Sequence, residues 1–543
     1  MDRRKFIKNI SYGGAAAFTL GGIPVNVLGG NAALKKLAAA SDNENVLIFI
    51  QLHGGNDALN TLIPLSQYNE YYNLRPNLAL PQYGTRKIIN VDSTVDELKQ
   101  VGLHPDMHAF KEMYEQGKLS VIQNVGYPDM NLSHFRGRDI VFMGGDAQSN
   151  YNSGWMGRFL DSTYPGYPDA YPNNNMQDPI GIELSGALSL AFHRENGIPI
   201  GLNVGSPEQF YNLITSVGVD PPILFPDTYA GDELRYIMEF EKKSNQYAGR
   251  LRDVYNAGSN SSVEYPETYP FAAPEGSLNN PLSGQLRLIA RLLKGGIKTR
   301  IFLCRIGGFD THGNQVEEYD STLGVHAALL YHVSSAIKAF YDDLNMLGID
   351  NKVLSVTFTE FGRRAYSNAS YGTDHGTSTP VFLFGTGVNP GIYGENPDLN
   401  DLHNGNLKYN IDYRQIYTSI VQDWFGASND ALAATGFNEW IGNKLPLIAG
   451  TSVDYIRNNN RELIVYPNPA RLYTKINVFM EKSGDVNIQI YNTEGKLVKL
   501  INEKAVYGKN QFSIPVEDIP AGRYIIKVRD KSKVFTGNLV IAL

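Results

Sequence analysis

Short apolar runs, each closed by a turn rich in Gly, Asn or Asp, punctuate the central part of this chain. Val46–Leu52, Leu119–Val125, Thr299–Ile306, Lys352–Phe358 and Pro380–Phe384 are five of them. A strand with one wet face alternates apolar and polar residues. A run that is apolar almost throughout is buried on both faces, as in a parallel sheet covered by helices. Helical spacing of apolar residues falls between the runs, at His104–Gln116, Leu282–Leu293, Leu323–Asn345 and Tyr413–Phe425. The alternation predicts an α/β fold, a three-layer sandwich around a mostly parallel central sheet. Tyr164–Asn175 and Ala257–Pro281 are loop-rich and are expected to be insertions over the active face.

The pattern changes after residue 448. A polar stretch at 449–462, with Asn458-Asn459-Asn460, reads as a linker. Six short alternating runs follow: Lys475–Met480, Val486–Tyr491, Lys496–Ile501, Gln511–Pro515, Gly522–Arg529 and Val534–Ile541. Their regular spacing predicts an all-β sandwich over 463–543. Tyr466-Pro467-Asn468-Pro469, Gly495-Lys496-Leu497-Val498 and Pro520-Ala521-Gly522-Arg523-Tyr524 occur in that order. The module resembles the C-terminal sorting domain of the type IX secretion system. That resemblance implies translocation across the outer membrane, removal of the module, and release or surface attachment.

The other end also reads as an address. Arg3-Arg4-Lys5 and Lys8 precede a weakly apolar stretch within residues 1–33, the layout of a secretory signal. The paired arginines before Phe6-Ile7-Lys8 resemble a twin-arginine (Tat) signal. Glycines and Pro24 interrupt the stretch, and no other run approaches the roughly 20 apolar residues of a membrane span. The expected route is export through the periplasm, with the Tat and type IX machineries as partners, to secretion or the cell surface. The 543 residues carry 55 acids against 48 bases, a net charge of −7, which disfavours a general nucleic-acid binder. A single cysteine excludes an intramolecular disulfide, a Cys-based zinc finger and an iron–sulfur cluster.

Chemistry concentrates where the apolar runs end, which is where open α/β sheets build their sites. His53-Gly54-Gly55-Asn56-Asp57 and Asn60 follow the first run, and Ser133-His134 the second. Asp310-Thr311-His312 follow the third and Glu360-Phe361-Gly362-Arg363 the fourth, while Asp374-His375 precede the fifth. Each motif alone is also what a capped turn or a surface ion pair looks like. Four histidines beside Asp, Glu or Ser at successive strand ends instead predict a divalent-metal site.

These motifs, with Leu103-His104-Pro105 and Ser153-Gly154-Trp155, resemble the bacterial DUF1501 family over residues 42–448. That family resembles the alkaline phosphatase superfamily, which includes sulfatases. The resemblance implies an alkaline-phosphatase-like sandwich with Asp57, Asp310, His312, Glu360, Asp374 and His375 as metal ligands. It further implies Ser133 as nucleophile and one or two divalent ions (zinc, manganese, magnesium or calcium). Phe361 stands where the superfamily carries a metal-binding histidine, which puts one of the usual two sites in doubt. Cys304 is followed by Arg305-Ile306-Gly307 and lacks the surroundings of a formylglycine precursor, which disfavours a conventional sulfatase.

The resulting expectation is an exported metal-dependent hydrolase acting on a small anionic phosphate or sulfate ester. His134 and His53 would shuttle protons, and Asn60, Arg136 and Arg363 would bind the substrate. The alternative is an inactive surface protein that uses the same fold to bind a glycan or other ligand, which Phe361 favours.

Overall fold

Every residue of Val46–Leu52 (β1) is buried, and its side chains feed two cores in turn. Val46, Ile48, Ile50 and Leu52 enter one core; Leu47 and Phe49 enter the other. Apolar side chains on both faces need cover on both, so β1 sits in the middle of a covered sheet. In this computed structural model the described residues are 44–167, 170–186, 188–215, 246–449 and most of 463–542, with 17–20 and 23–26. The paired arginines and nearly all of the signal expected at 1–33 lie outside them, as do linker residues 450–462.

The other strands of the central sheet are β2 (Leu119–Gly126), β3 (Gly181–Leu184), β4 (Leu202–Asn203), β5 (Ile301–Ile306), β6 (Val353–Phe358), β7 (Thr379–Phe384), β8 (Gly391–Tyr393) and β9 (Ile411–Asp412). The spatial order is β8-β2-β7-β6-β1-β5-β3-β4, and β9 pairs with β2. Every pairing is parallel except those of β7, which runs against both β6 and β2. The expected α/β architecture with a mostly parallel sheet is therefore present. Helices α1 (His108–Glu115), α4 (Pro281–Lys294) and α5 (Val325–Leu347) cover the first core. Helices α2 (His134–Met143), α3 (Trp155–Thr163) and α6 (Tyr413–Ser419) cover the second.

Helix α4 starts where its sequence says it should. Asn280 accepts from the N–H groups of Leu282 and Ser283, and Pro281 takes the first position, where no N–H is needed. Helix α2 starts differently. Ser133 is its N-cap residue, yet the hydroxyl makes no capping bond. The short strands β3, β4, β8 and β9 and helices α2 and α3 escape the sequence pattern. Two to four residues carry too little periodicity, and the first half of α2, His134-Phe135-Arg136-Gly137-Arg138, is mostly polar.

The chain divides into two compact units, Met1–Ile448 and Ala449–Leu543. Among its described residues the second holds seven strands: β10 (Ile464–Tyr466), β11 (Tyr473–Met480), β12 (Gly484–Asn492), β13 (Leu497–Ala505), β14 (Gly508–Pro515), β15 (Gly522–Arg529) and β16 (Val534–Ile541). They form two antiparallel sheets, β10-β11-β14 and β13-β12-β15-β16, around Ile476, Ile488, Ile490, Ile526 and Val528. Among the described residues no helix is long and apolar enough to cross a membrane.

Candidate metal centre at the carboxyl ends of the strands

Parallel strands deliver their following loops to one end of the sheet. His53 after β1, His134 after β2, Asp310 and His312 after β5 and Glu360 after β6 all arrive there. The antiparallel course of β7 puts its start at that same end, so His375, four residues before it, joins them. A two-residue ribbon, Gly362–Arg363 against His375–Gly376, fixes the approach. The first loop must come very close to the third. A Cβ on Gly54, whose φ is +126°, would lie 2.2 Å from the Asp310 nitrogen, so only glycine fits.

His134, Asp310 and His375 each offer a ligand atom within 4.8 Å of the others. Glu360 Oε1 lies 2.9 Å from His134 Nδ1. A carboxylate only accepts, so Nδ1 carries the hydrogen and the Nε2 lone pair is left. His375 Nδ1 donates to the Leu132 carbonyl at 2.8 Å, leaving its Nε2 in the same state. Both Nε2 atoms lie 3.4 Å from Asp310, one facing each carboxylate oxygen. His134 Nε2 is buried and has no hydrogen-bond partner of adequate geometry. Two donors bound at about 2.0–2.1 Å to one tetrahedral ion stand roughly 3.3 Å apart, so the spacing fits a zinc-type site of two imidazoles and one carboxylate.

Charges at the site are set by partners. Burial alone would push the Glu360 carboxyl up, but bonds to His134 and His53 (3.3 Å) bring it to about 2. The Gly54 N–H donates to the same oxygen at 2.9 Å. Burial opposes ionisation of Asp310 as well, and the Arg363 guanidinium at 2.7 Å overcomes it, again to about 2. The bond to Glu360 raises His134, whereas burial lowers His375. His312 Nδ1 lies 2.8 Å from Asp310 Oδ1 on the half-exposed side, its ring centre 4.5 Å from that of His375. Phe361 is fully buried, its ring centre 4.8 Å from His134 and 4.5 Å from His375.

Of the expected ligands, Asp310 and His375 come together, with His134 beside them, while His312 meets Asp310 at the edge and Glu360 bonds His134. Asp57 is fully buried elsewhere, its Oδ2 held at 2.6 Å by both Arg75 Nη1 and Gln315 Nε2. Asp374 is exposed and accepts from Asn368 Nδ2. Two of the three expected substrate-binding residues, Asn60 and Arg363, are internal braces. Asn60 is buried, bonding the Leu78 carbonyl, Tyr71 and Arg75. Arg136 is partly exposed, and one guanidinium nitrogen donates to the carbonyls of Ala147 and Ser149. Arg363, fully buried, ties the carbonyls of Gly54, Gly55, Phe309 and Thr373 to Asp310, clamping four site segments together. Buried donors already paired with carbonyls cannot greet a ligand from solvent. Ser133 remains exposed at the start of α2, its N–H donating to Asn131 Oδ1.

Residues the sequence reading passed over hold the site from below. Gln315 accepts from Thr311 and Thr373, which flank Asp310 and Asp374, and donates to Asp57. His326 Nε2 lies 3.0 Å from Asn56 Oδ1. Burial drives His326 down to about 4 and His104 well below its ordinary 6.5. A histidine kept neutral in the fold binds more protons when unfolded. Stability should therefore fall as pH drops below 6.5 and level off near 4, where folded His326 protonates too. His326 alone is worth on the order of 3 kcal/mol across that window. His326→Gln should flatten the profile between pH 6.5 and 4 in thermal unfolding; an unchanged slope would contradict this.

Residues 243–432 match the family described as "Protein of unknown function (DUF1501)", and residues 464–542 match the "Secretion system C-terminal sorting domain". No curated protein matches the sequence. Among solved structures, dimeric latent PorU from Porphyromonas gingivalis is 20% identical, covering 15% of this chain and 9% of its own, with a TM-score of 0.13. A protein in the alkaline phosphatase superfamily from Vibrio parahaemolyticus is 9% identical, covering 95% of this chain and 92% of its own, with a TM-score of 0.34. Alkaline phosphatase from the Antarctic bacterium TAB5 is 12% identical, covering 73% and 99%, with a TM-score of 0.27. The chain is thus similar to DUF1501 over residues 243–432 of its α/β unit, and the sorting domain at residues 464–542 indicates export, to secretion or the cell surface.

Proposed function

We propose that the strand-end site is the centre of a metal-dependent hydrolase acting on phosphate or sulfate esters. The observation that carries the reading is the pair of imidazoles with Nδ1 committed, to Glu360 and to Leu132, and Nε2 turned to Asp310. A divalent ion held by His134, Asp310 and His375 would supply Lewis-acid stabilisation of an ester oxygen and lower the pKa of a neighbouring hydroxyl or water. Glu360 fixes the tautomer and ring plane of His134, the outer-shell role that tunes a ligating histidine. Ser133 offers a hydroxyl that no helix cap uses, next to His134 and at the positive end of α2. His53, partly exposed and oriented by Glu360 at 3.3 Å, is placed to exchange a proton with solvent at the edge of the site.

The test is a panel of chromogenic phosphate monoesters, phosphate diesters and sulfate esters, with zinc, manganese, magnesium or calcium supplied. Ser133→Ala should remove nearly all turnover and leave metal content near wild type, because one missing hydroxyl does not unseat an ion held by three side chains. Turnover unaffected by Ser133→Ala would refute the serine as nucleophile. A second reading, ligand binding without reaction, is favoured by Phe361, whose ring fills the place against both imidazoles where further donors would stand. It predicts no turnover with any ester or ion.

A further inference from the structure

The strands that bring the metal centre together at their carboxyl ends begin at the other edge of the sheet, and cations gather there. Glu44 lies two residues before β1, Lys298 and Arg300 precede β5, and Lys352 directly precedes β6. All four line one cavity of about 1010 Å³. That is the upper end of the roughly 300–1,000 Å³ of small-molecule sites. Because β1, β5 and β6 run parallel, this cavity stands at the opposite end of the sheet from His134, Asp310 and His375. Tyr164, Asn174 and Asn175, from the loop-rich stretch that leads toward β3, line it as well. That stretch therefore borders the amino ends of the strands, not the metal centre as its sequence suggested.

Arg300 is fixed at the cavity. Its N–H donates to the Ile180 carbonyl at 3.0 Å, and its carbonyl accepts from the Leu47 N–H at 2.9 Å. Its guanidinium carbon lies 5.5 Å from the ring centre of Phe425, which packs on Phe159 at 4.9 Å. Both rings are buried and line the same cavity. Burial opposes the Arg300 charge, while Tyr164 and Glu44 favour it. Glu44 is the one carboxylate among the residues lining the cavity. It is exposed and stands 3.6 Å from Lys352 Nζ, a surface pairing of little strength. Asp178 accepts from the Lys298 N–H, but Arg250 already holds its carboxylate at 2.7 Å. Three positive charges thus line the cavity against one weakly engaged negative charge, a field that draws in an anion.

The uncharged polar groups narrow the ligand further. Ser162 and Thr163 donate to the Phe159 carbonyl, so toward the cavity their hydroxyls accept. Asn174 and Asn175 bring exposed side-chain amides, which both donate and accept. Such walls suit a ligand with many hydroxyls and offer little apolar surface to an acyl chain.

We propose that this cavity binds an acidic saccharide, a sugar carrying carboxylate or sulfate groups, with Arg300 as its anchor and Lys298 and Lys352 beside it. The site lies apart from the metal centre and stands whether or not that centre hydrolyses esters. A planar guanidinium backed by an aromatic ring presents its fork to a carboxylate or sulfate.

The test is calorimetry on the full-length chain, treated with chelator so that the metal centre plays no part. The probes are trigalacturonate and a monosulfated galactose disaccharide, each compared with the uncharged sugar of the same length. At least one acidic probe should bind saturably, and which one names the anionic group. Its uncharged counterpart should bind at least about tenfold more weakly. Arg300→Gln should weaken binding about 10- to 100-fold, the range of a charge-assisted hydrogen bond. Lys298→Gln should weaken it by up to about fivefold, and Glu44→Gln should tighten it by a similar factor. Lys298 and Glu44 are exposed, so these two variants read the site even if Arg300→Gln disturbs the fold. No saturable binding of either acidic probe, or equal binding of the uncharged sugars, overturns the proposal. So does wild-type affinity in both Lys298→Gln and Glu44→Gln. Binding that appears only when zinc is restored places the ligand at the metal centre and overturns it too.

Discussion

His134→Ala, His375→Ala and Asp310→Asn are each expected to lose zinc or manganese binding, by on the order of a hundredfold or more in affinity. Each change removes one of three donor groups, and among the described residues no other His, Cys, Asp or Glu completes such a group within the same reach. Glu360→Gln should be milder, roughly 10- to 100-fold, because it keeps all three donors and loses only the carboxylate that fixes the His134 tautomer. His312→Ala should cost least, since that ring is half exposed at the edge and meets Asp310 from the solvent side. Competition with a chromophoric chelator at fixed pH measures the order. A protein in which His312→Ala abolishes binding while His134→Ala retains it would overturn the assignment.

Arg75→Met should destabilise the α/β unit by about 3–5 kcal/mol, the cost of leaving a buried carboxylate without its partner. Asp57 and Arg75 are both fully buried and 2.6 Å apart, and Arg75 also holds the carbonyls of Arg364 and Ala365 behind the Arg363 clamp. The pair therefore bears on the loop that leads to His375. Adding Asp57→Asn to Arg75→Met should recover part of the loss, because the uncompensated charge is gone while the amide can still hydrogen-bond. Urea unfolding of the single and double variants reads this directly. A single variant within about 0.5 kcal/mol of wild type would mean that the pair contributes nothing of consequence. If Asp57→Asn instead emptied the metal site of a protein that still folded, Asp57 would return to the ligand set.

The strand-end motifs were legible because they are local. An apolar run followed by Gly54-Gly55, by Ser133-His134 or by Asp310-Thr311-His312 says that a strand has ended and polar chemistry begins, and a mostly parallel sheet collects such ends on one edge. The α/β core, the β-rich C-terminal unit and the gathering of His134, Asp310, Glu360 and His375 all followed from that logic. Individual roles were not legible, because they depend on which side chain meets which across 18 to 258 residues of chain. Asp57 has the same local look as Asp310, each lying just past a buried strand. Arg75 Nη1 meets Asp57 across an 18-residue separation and neutralises it in the core, while Asp310 stays half exposed between two imidazoles. Arg363 and Arg305 are likewise both arginines at strand ends. One is enclosed by four carbonyls and a carboxylate, and the side chain of the other has no such partners among the described residues. Composition and period determine where polar groups surface from the sheet. Only the packed loops decide whether a charge is consumed by a buried partner or left to meet a ligand, since in a low-dielectric interior an ionised group persists only when paired.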